Sequence, residues 1–141
     1  MEPLKPTVVD VAEVLPFHCG DSYDSRMILD NVLTGRENTI QVNHGTVKPG
    51  CKLGGDAHKE DEIYYILSGH GKLQLGDECI PVHANQIIFI PAGVFHALDN
   101  RESDEELTIL TMWREARFND LYQVRVDAWG TSFRTVEGES R

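Results

Sequence analysis

The chain has 141 residues, with 13 Lys and Arg against 23 Asp and Glu, which gives a formal net charge of −10 at pH 7. This negative charge argues against nucleic acid and anionic membranes as partners, because both repel such a surface. No apolar run approaches the roughly 18 residues of a membrane helix, and the first residues contain no apolar signal core. The composition therefore predicts a cytoplasmic protein that folds as one domain over residues 1–141.

The N-terminal arm, residues 1–35, has few structural signals. Within it, Val8 to Leu15 fits either a short helix or an edge strand. The three cysteines of the whole chain, Cys19, Cys51 and Cys79, form no CxxC pair. We therefore expect reduced thiols rather than a disulfide framework or a zinc ribbon.

The middle of the chain, about 40–113, alternates between β-branched or aromatic runs and glycine-bearing turns. The runs cover residues 39–47, 63–67, 72–75, 86–90 and 107–113. Residues 68–71 and 75–78 have the glycines typical of hairpin turns. Short strands at this spacing predict an all-β fold with little helix, a sandwich or a barrel of antiparallel strands. The run 107–113 is apolar on nearly both parities, so we expect it to be covered on both faces.

After the last run, Arg114 to Tyr122 has a pattern that permits one helical turn. The tail, residues 131–141, is polar without periodicity and is expected to fray.

One segment combines imidazole and carboxylate side chains. Asp56, His58, Glu60 and Glu62 share one parity, so an extended chain would present all four on the same face. These nitrogen and oxygen donors suit a divalent first-row metal ion. Glu62 also opens an apolar run, and a carboxylate that enters a core needs a partner or a metal to offset its desolvation.

A second segment supplies another imidazole. Pro91 and Gly93 predict a tight turn, and His96 follows on the next strand, where the interior of a barrel could receive it.

Together the two segments resemble the two motifs of the cupin superfamily over about residues 40–113. The matching positions of the first motif are Gly50, Asp56, His58, Glu62 and Gly69, and those of the second are Asn85, Pro91, Gly93, His96 and Asn100. The spacing agrees throughout. Two residues differ, because Asp56 replaces the usual first histidine and Asn85 replaces the usual first glycine.

The resemblance implies a jelly roll, or double-stranded β-helix, with one metal site inside. It places His58, Glu62 and His96 as metal ligands and Asp56 as the fourth. Asp56 could ligate directly, hold a bound water or orient a neighbour. The implied cofactor is one divalent transition metal, Fe, Mn, Zn or Ni, and the hard, oxygen-rich donor set disfavours copper. A homodimer is also implied, and the N-terminal arm could pack on a partner as an edge strand.

Four further residues are candidates for the site or its surroundings. Tyr64 shares the parity of Glu62, so its phenol could act as a general base or anchor a substrate oxygen, or it could simply fill the barrel. Either Asn43 or His44 faces the interior. Asn100 is expected to hydrogen-bond backbone near the second motif.

These residues leave several functions open. The first is a metal-dependent enzyme acting on a small polar or carboxylated molecule, with dioxygenase or other oxidoreductase chemistry. The second is a lyase or isomerase that uses Tyr64 as base. A third, of another class, is a non-catalytic module that binds a small molecule. A site that has lost its metal is the fourth.

Overall fold

The structure is a computed structural model that describes residues 8–30, 40–57 and 59–114. A single-turn 3₁₀ helix, Val11–Glu13, precedes ten strands in this part of the chain. The strands are β1 Phe17–Cys19, β2 Tyr23–Leu29, β3 Ile40–Val47, β4 Lys52–Asp56, β5 Glu62–Ser68, β6 His70–Leu75, β7 Glu78–His83, β8 Ile87–Ile90, β9 His96–Asp99 and β10 Leu107–Arg114. In the described ranges, no helix is long and apolar enough to cross a membrane.

The strands form two sheets, and every pairing among the described residues is antiparallel. The larger sheet has the order β1-β2-β3-β10-β5-β8, and the smaller has the order β4-β9-β6-β7. The chain passes repeatedly between the sheets, so strands distant in sequence become neighbours. The predicted all-β antiparallel barrel is confirmed.

The apolar core lies between the two sheets. Alternate residues of each strand point inward, as the two-residue period of a strand requires. The larger sheet contributes Val47, Ile66 and Ile109, and the smaller contributes Leu73 and Leu98, all fully buried. Each such side chain stabilises the fold by about 1.5–3 kcal/mol relative to an exposed one.

Gly45 of β3 allows a tyrosine to cross the inner face of the larger sheet. The Tyr23 hydroxyl lies where a Cβ at Gly45 would stand, so any larger residue would displace the ring. Tyr23 is itself buried at 4% exposure.

The N-terminal alternatives resolve in favour of a short helix. The Asp10 side chain caps the 3₁₀ turn by accepting a hydrogen bond from the Ala12 backbone N–H at 3.1 Å. Val14, just after the turn, is buried, and its carbonyl accepts a hydrogen bond from Arg26 Nε at 2.9 Å. These contacts attach the segment to β2.

The two predicted hairpins have different outcomes. β6 and β7 pair directly across Gly76, with Leu75 opposite Glu78, so the second hairpin is confirmed. The first, at residues 68–71, is wrong, because β5 and β6 belong to different sheets. Gly69, at φ 85°, instead turns the chain from one sheet to the other where the Glu106 backbone leaves no room for a Cβ.

The last described strand is covered unequally. In β10 the residues of one parity, from Leu107 to Trp113, are buried, and those of the other parity are half-buried, so the second face is covered only in part. Arg114 ends this strand. The rest of the predicted helical turn, and the tail 131–141, lie outside the described residues. All three cysteines are free thiols, as expected.

Candidate metal centre

Glu62 and His96 meet inside the barrel from opposite sheets. Glu62 begins β5 in the larger sheet, and His96 begins β9 in the smaller one. Their side chains are 8% and 7% exposed, and His96 Nε2 lies 3.1 Å from Glu62 Oε1. The sequence predicts both as inward-facing, and the structure brings them into contact across 34 residues of chain.

A local turn fixes the position of His96. Gly93 has φ 83°, and the Val94 N–H donates to the Pro91 carbonyl at 3.2 Å, which forms the predicted tight turn. The Ala92 N–H donates to Asp61 Oδ1 at 2.9 Å. Because Asp61 immediately precedes Glu62, this bond ties the turn before β9 to the start of β5.

The hydrogen bond of the other ring nitrogen defines the chemistry of His96. Nδ1 lies 2.9 Å from the Val94 carbonyl oxygen, which can only accept, so Nδ1 carries a proton and donates it. In the neutral ring, Nε2 then presents a lone pair toward the Glu62 carboxylate. Two acceptors 3.1 Å apart need a proton or a metal cation between them. The pair is therefore built to hold a positive charge out of contact with bulk water.

The structure describes less of the other two predicted ligands, Asp56 and His58. The backbone of Asp56 ends β4, directly opposite His96 of β9, and the proposed role of its side chain lies outside what the structure describes. His58 also lies outside the described residues. Among the residues described, no group of three or more His, Cys, Asp or Glu comes together.

The prediction that Asp56 and Glu62 project from one extended stretch is wrong. β4 ends at Asp56 in the smaller sheet, and β5 starts at Glu62 in the larger one. The backbone of Asp56 therefore reaches this region through its pairing with β9, not through shared parity with Glu62.

Tyr64 lies beside the pair. It is buried at 5% exposure, on the same face of β5 as Glu62. Its ring packs edge-on against the His96 imidazole, with centroids 5.8 Å apart and an interplanar angle of 81°. The predicted inward parity of Tyr64 is confirmed.

The alternative between Asn43 and His44 resolves in favour of Asn43. Asn43 faces inward at 6% exposure. His44 lies on the other face of β3, opposite Arg26. Burial, followed by the charge of Arg26, lowers the pKa of His44 below 6.5.

Sequence reasoning missed part of the inner wall. Gln41, Thr111 and Trp113 are buried beside Glu62 and Tyr64. Strand register places Thr111 opposite Tyr64, and Trp113 between Gln41 and Glu62. Only the pairing of β3 with β10 reveals these neighbours, and no local pattern encodes that pairing.

The two asparagines of the second motif have structural roles. Asn100 is 1% exposed, and its Nδ2 donates to the carbonyls of Val47, Lys48 and Glu105 at 3.2, 3.3 and 2.7 Å, which confirms the expected backbone bonding. Asn85 has φ 70°, the left-handed region that glycine and asparagine tolerate best. This conformation explains why asparagine can replace the usual glycine.

The fold and these contacts define an antiparallel double-sheet barrel that encloses a buried histidine–carboxylate pair. A family model described as Cupin domain matches residues 43–113, half of the chain. The chain belongs to this family.

The individual relatives share only limited sequence identity with this chain. A polyketide synthase, CurC, of Streptomyces cyaneus is 29% identical over 107 residues, which cover 75% of this chain and 68% of that protein. An oxalate-binding protein of Thermotoga maritima is 36% identical over 53 residues, 37% of this chain and 44% of that protein.

A solved structure supports the same fold. The crystal structure of a predicted oxalate decarboxylase from Thermotoga maritima superposes with a TM-score of 0.69 at 22% identity. The match covers 77% of this chain and 99% of that one. At this identity the likeness shows the architecture alone.

Proposed function

We propose that this chain is a metal-dependent enzyme that acts on a small polar or carboxylated molecule by dioxygenase-type oxidation. One divalent transition metal ion, Fe, Mn, Zn or Ni, would be held by His58, Glu62 and His96, with Asp56 as the fourth donor. The observation that carries this proposal is the buried Glu62–His96 pair, whose facing acceptor atoms need a proton or a metal cation between them.

The donor set fits such an ion. Imidazole nitrogen and carboxylate oxygen suit iron, manganese and zinc, and two histidines with one carboxylate leave coordination positions open. Because Nδ1 of His96 donates its proton to the Val94 carbonyl, the neutral ring has the tautomer in which Nε2 carries the lone pair that a metal ion would bind. When bound, the ion would supply Lewis-acid and redox chemistry.

The residues around the pair would exclude water and transfer a proton. Ile90, fully buried and opposite Glu62 in β8, would exclude water. The Tyr64 phenol would donate a proton to a substrate oxygen or accept one from it. The relative from Thermotoga maritima is described as an oxalate-binding protein, and oxalate is a small oxygen-rich molecule, which supports this substrate class.

Oxygen uptake tests this function. Metal-loaded protein would be offered a panel of small hydroxy acids, ketones and phenols, with dissolved oxygen and product followed together. We expect oxygen to fall in proportion to product, and to stay constant with a Glu62→Ala variant. Product that forms equally fast without oxygen would overturn the dioxygenase assignment.

The position of Tyr64 against His96 favours a second candidate, a lyase or isomerase that uses this phenol as its base. Tyr64→Phe would then abolish oxygen-independent turnover, whereas Tyr65→Phe on the outer face would not. Ligand binding without turnover of any panel member would instead indicate a binding module.

We also propose a homodimer. Two copies that each carry a net charge of −10 repel one another, which favours a contact on an uncharged surface. Ile87 and Phe89 of the edge strand β8 offer one, at 69% and 59% exposure.

A further inference from the structure

Two histidines outside the candidate metal centre lie opposite one another on the outer face of the smaller sheet. His70 is the first residue of β6 and His83 is the last residue of β7, and strand register makes them direct partners. Leu73 and Val82, on the other parity of these strands, are buried in the core, whereas both histidines are exposed. The β6–β7 hairpin therefore presents two imidazoles together to solvent.

The backbone hydrogen bond beside this pair shows that the two histidines are closely spaced. The Ala84 N–H donates to the Gly69 carbonyl at 3.1 Å, so the bond joins the residues that flank the pair. His70 and His83 therefore form a non-hydrogen-bonded pair, in which the Cα atoms of antiparallel strands are about 4.5 Å apart and the side chains come closest. Imidazoles that extend from such positions can reach one metal ion at about 2.0–2.1 Å each.

A second hydrogen bond prepares the His83 ring as a ligand. Its Nδ1 lies 2.9 Å from the Ala84 carbonyl oxygen, which can only accept, so Nδ1 carries a proton. In the neutral ring, Nε2 then has the lone pair that a metal ion would bind. The His83 backbone N–H also donates to Gln86 Oε1 at 2.8 Å, which fixes the end of β7.

The surroundings of the pair leave room for a hydrated ion and do not repel it. A cavity of about 260 Å³ is lined by His70 together with Lys72, Asp99 and Glu102. This volume holds several water molecules, each of which occupies about 30 Å³. Lys72 pairs with Glu102 at 3.1 Å and Arg101 pairs with Asp99 at 2.8 Å, so these four charges balance.

We propose that His70 and His83 form a surface metal site that binds one divalent transition ion, Ni²⁺, Cu²⁺ or Zn²⁺. Imidazole nitrogen suits all three ions. Two protein ligands leave the other coordination positions to water, so this ion exchanges with the buffer and is removed by dialysis. The site uses neither Glu62 nor His96, and its test does not depend on the function proposed above.

Titration with Ni²⁺ tests the site. Protein dialysed against a chelator would be titrated by calorimetry as the unmodified chain, His70→Gln, His83→Gln and the double variant. His18→Gln is the matched control, because the His18 side chain is 66% exposed but lies on β1, in the other sheet. Any binding at the interior centre is common to all five chains and cancels in the comparison.

We expect the unmodified chain and the control to bind one exchangeable Ni²⁺. Removing a residue that only orients a ligand costs about 10–100-fold in metal affinity, so removing either ligand should weaken this binding at least about tenfold. The double variant should bind hardly more weakly than each single variant, because one remaining imidazole no longer chelates the ion.

The variants should retain the circular dichroism of the unmodified chain, because both histidines are exposed. Unchanged affinity in the two single variants, or equal Ni²⁺ binding by the unmodified chain and the double variant, overturns the site. Losses that add up from the two single variants also overturn it, since they indicate two independent histidines instead of one shared ion.

Discussion

The proton on Nδ1 of His96 determines what the buried pair can bind. The Val94 carbonyl holds that proton, so the lone pair of Nε2 and the Glu62 carboxylate face the same point. A buried arrangement of two acceptors is unfavourable unless a proton or a metal cation joins them. The tautomer is therefore set by the backbone of the turn that precedes β9.

Asp56 gives the first prediction at this scale. Asp56→His should retain or raise metal affinity, because it restores the histidine of the usual cupin motif. Metal affinity would be measured by competition with a chromogenic chelator, and Asp77→His in the exposed β6–β7 hairpin is the control. A correctly folded Asp56→His chain that has lost all metal would show that Asp56 is not at the site.

Asn85 gives the second prediction. At φ 70° a β-branched residue is strained, so Asn85→Val should lower the free energy of unfolding by about 1–2 kcal/mol. Asn85→Gly should change it little, apart from the lost hydrogen bond of Tyr65 at 3.2 Å. Urea denaturation measures both. Equal stability of the valine variant and the unmodified chain would contradict the conformational explanation.

At the scale of elements, Asp24 links the first three strands of the larger sheet. In β2 it lies 2.5 Å from His18 Nδ1 of β1 and 2.9 Å from Lys48 Nζ, just after β3. Burial raises the pKa of Asp24, but the hydrogen bonds from His18 and Lys48 outweigh that effect and hold the pKa below 3.8. The ionised carboxylate therefore stabilises the folded sheet.

A pH prediction follows from the sign of this shift. A carboxyl with a lowered pKa contributes its full stabilisation above its unfolded value, near 3.8, and loses it as the pH falls through the lower folded value. Asp24→Asn should therefore lose less stability than the unmodified chain on acidification below about pH 4. Urea denaturation at a series of pH values measures this, with Asp77→Asn as the exposed control. Identical acid losses in all three chains would refute it.

Strands with a clear two-residue period could be predicted from the sequence, and others could not. The run that became β5 alternates inward and outward residues, so the inward direction of Glu62 and Tyr64 followed directly. The runs that became β3 and β10 were predicted as strands, but the residues that face inward could not be chosen from the sequence. β4, with the sequence KLGGD, has two glycines and no such period. It is a strand because it pairs with β9, some 40 residues later in the chain.

The same limit explains the errors at the site. Shared parity placed Asp56 and Glu62 on one face, but parity holds only within one strand, and the chain changes sheets between them. The wall residues Gln41 and Thr111 escaped prediction because their position depends on the register of β3 against β10. Motif spacing indicated the positions of Glu62 and His96, and parity indicated the inward direction of Tyr64. The positions of the other wall residues depend on strand pairing over long distances in the sequence.

At the scale of the whole molecule, the barrel interior has two different ends. One end is aliphatic, around Val47, Ile66 and Leu107, and the other carries the polar groups around Glu62 and His96. The fully buried side chains of Val47, Ile66 and Leu107 therefore stabilise the fold away from the candidate site. Burying polar groups costs free energy, and the stabilisation from the aliphatic end offsets the cost of the polar groups at the candidate site.

The proposed homodimer can be tested by the sedimentation of the chain. The chain should sediment as a dimer, and Phe89→Glu should dissociate it, because the new charge would face another acidic copy at the β8 surface. Ile40→Glu, at 52% exposure in β3 and three strands away from β8, is the control. An unmodified chain that sediments as a monomer, or a Phe89→Glu chain that remains dimeric, would contradict this assignment.

Elemental analysis of the purified protein tests whether the Glu62–His96 pair holds a metal ion. We expect about one Fe, Mn, Zn or Ni per chain in the unmodified protein and in the exposed control His70→Ala. Glu62→Ala and His96→Ala should lose the ion while circular dichroism shows a retained β-fold. Absence of metal even after reconstitution, or full occupancy in both site variants, would contradict the claim.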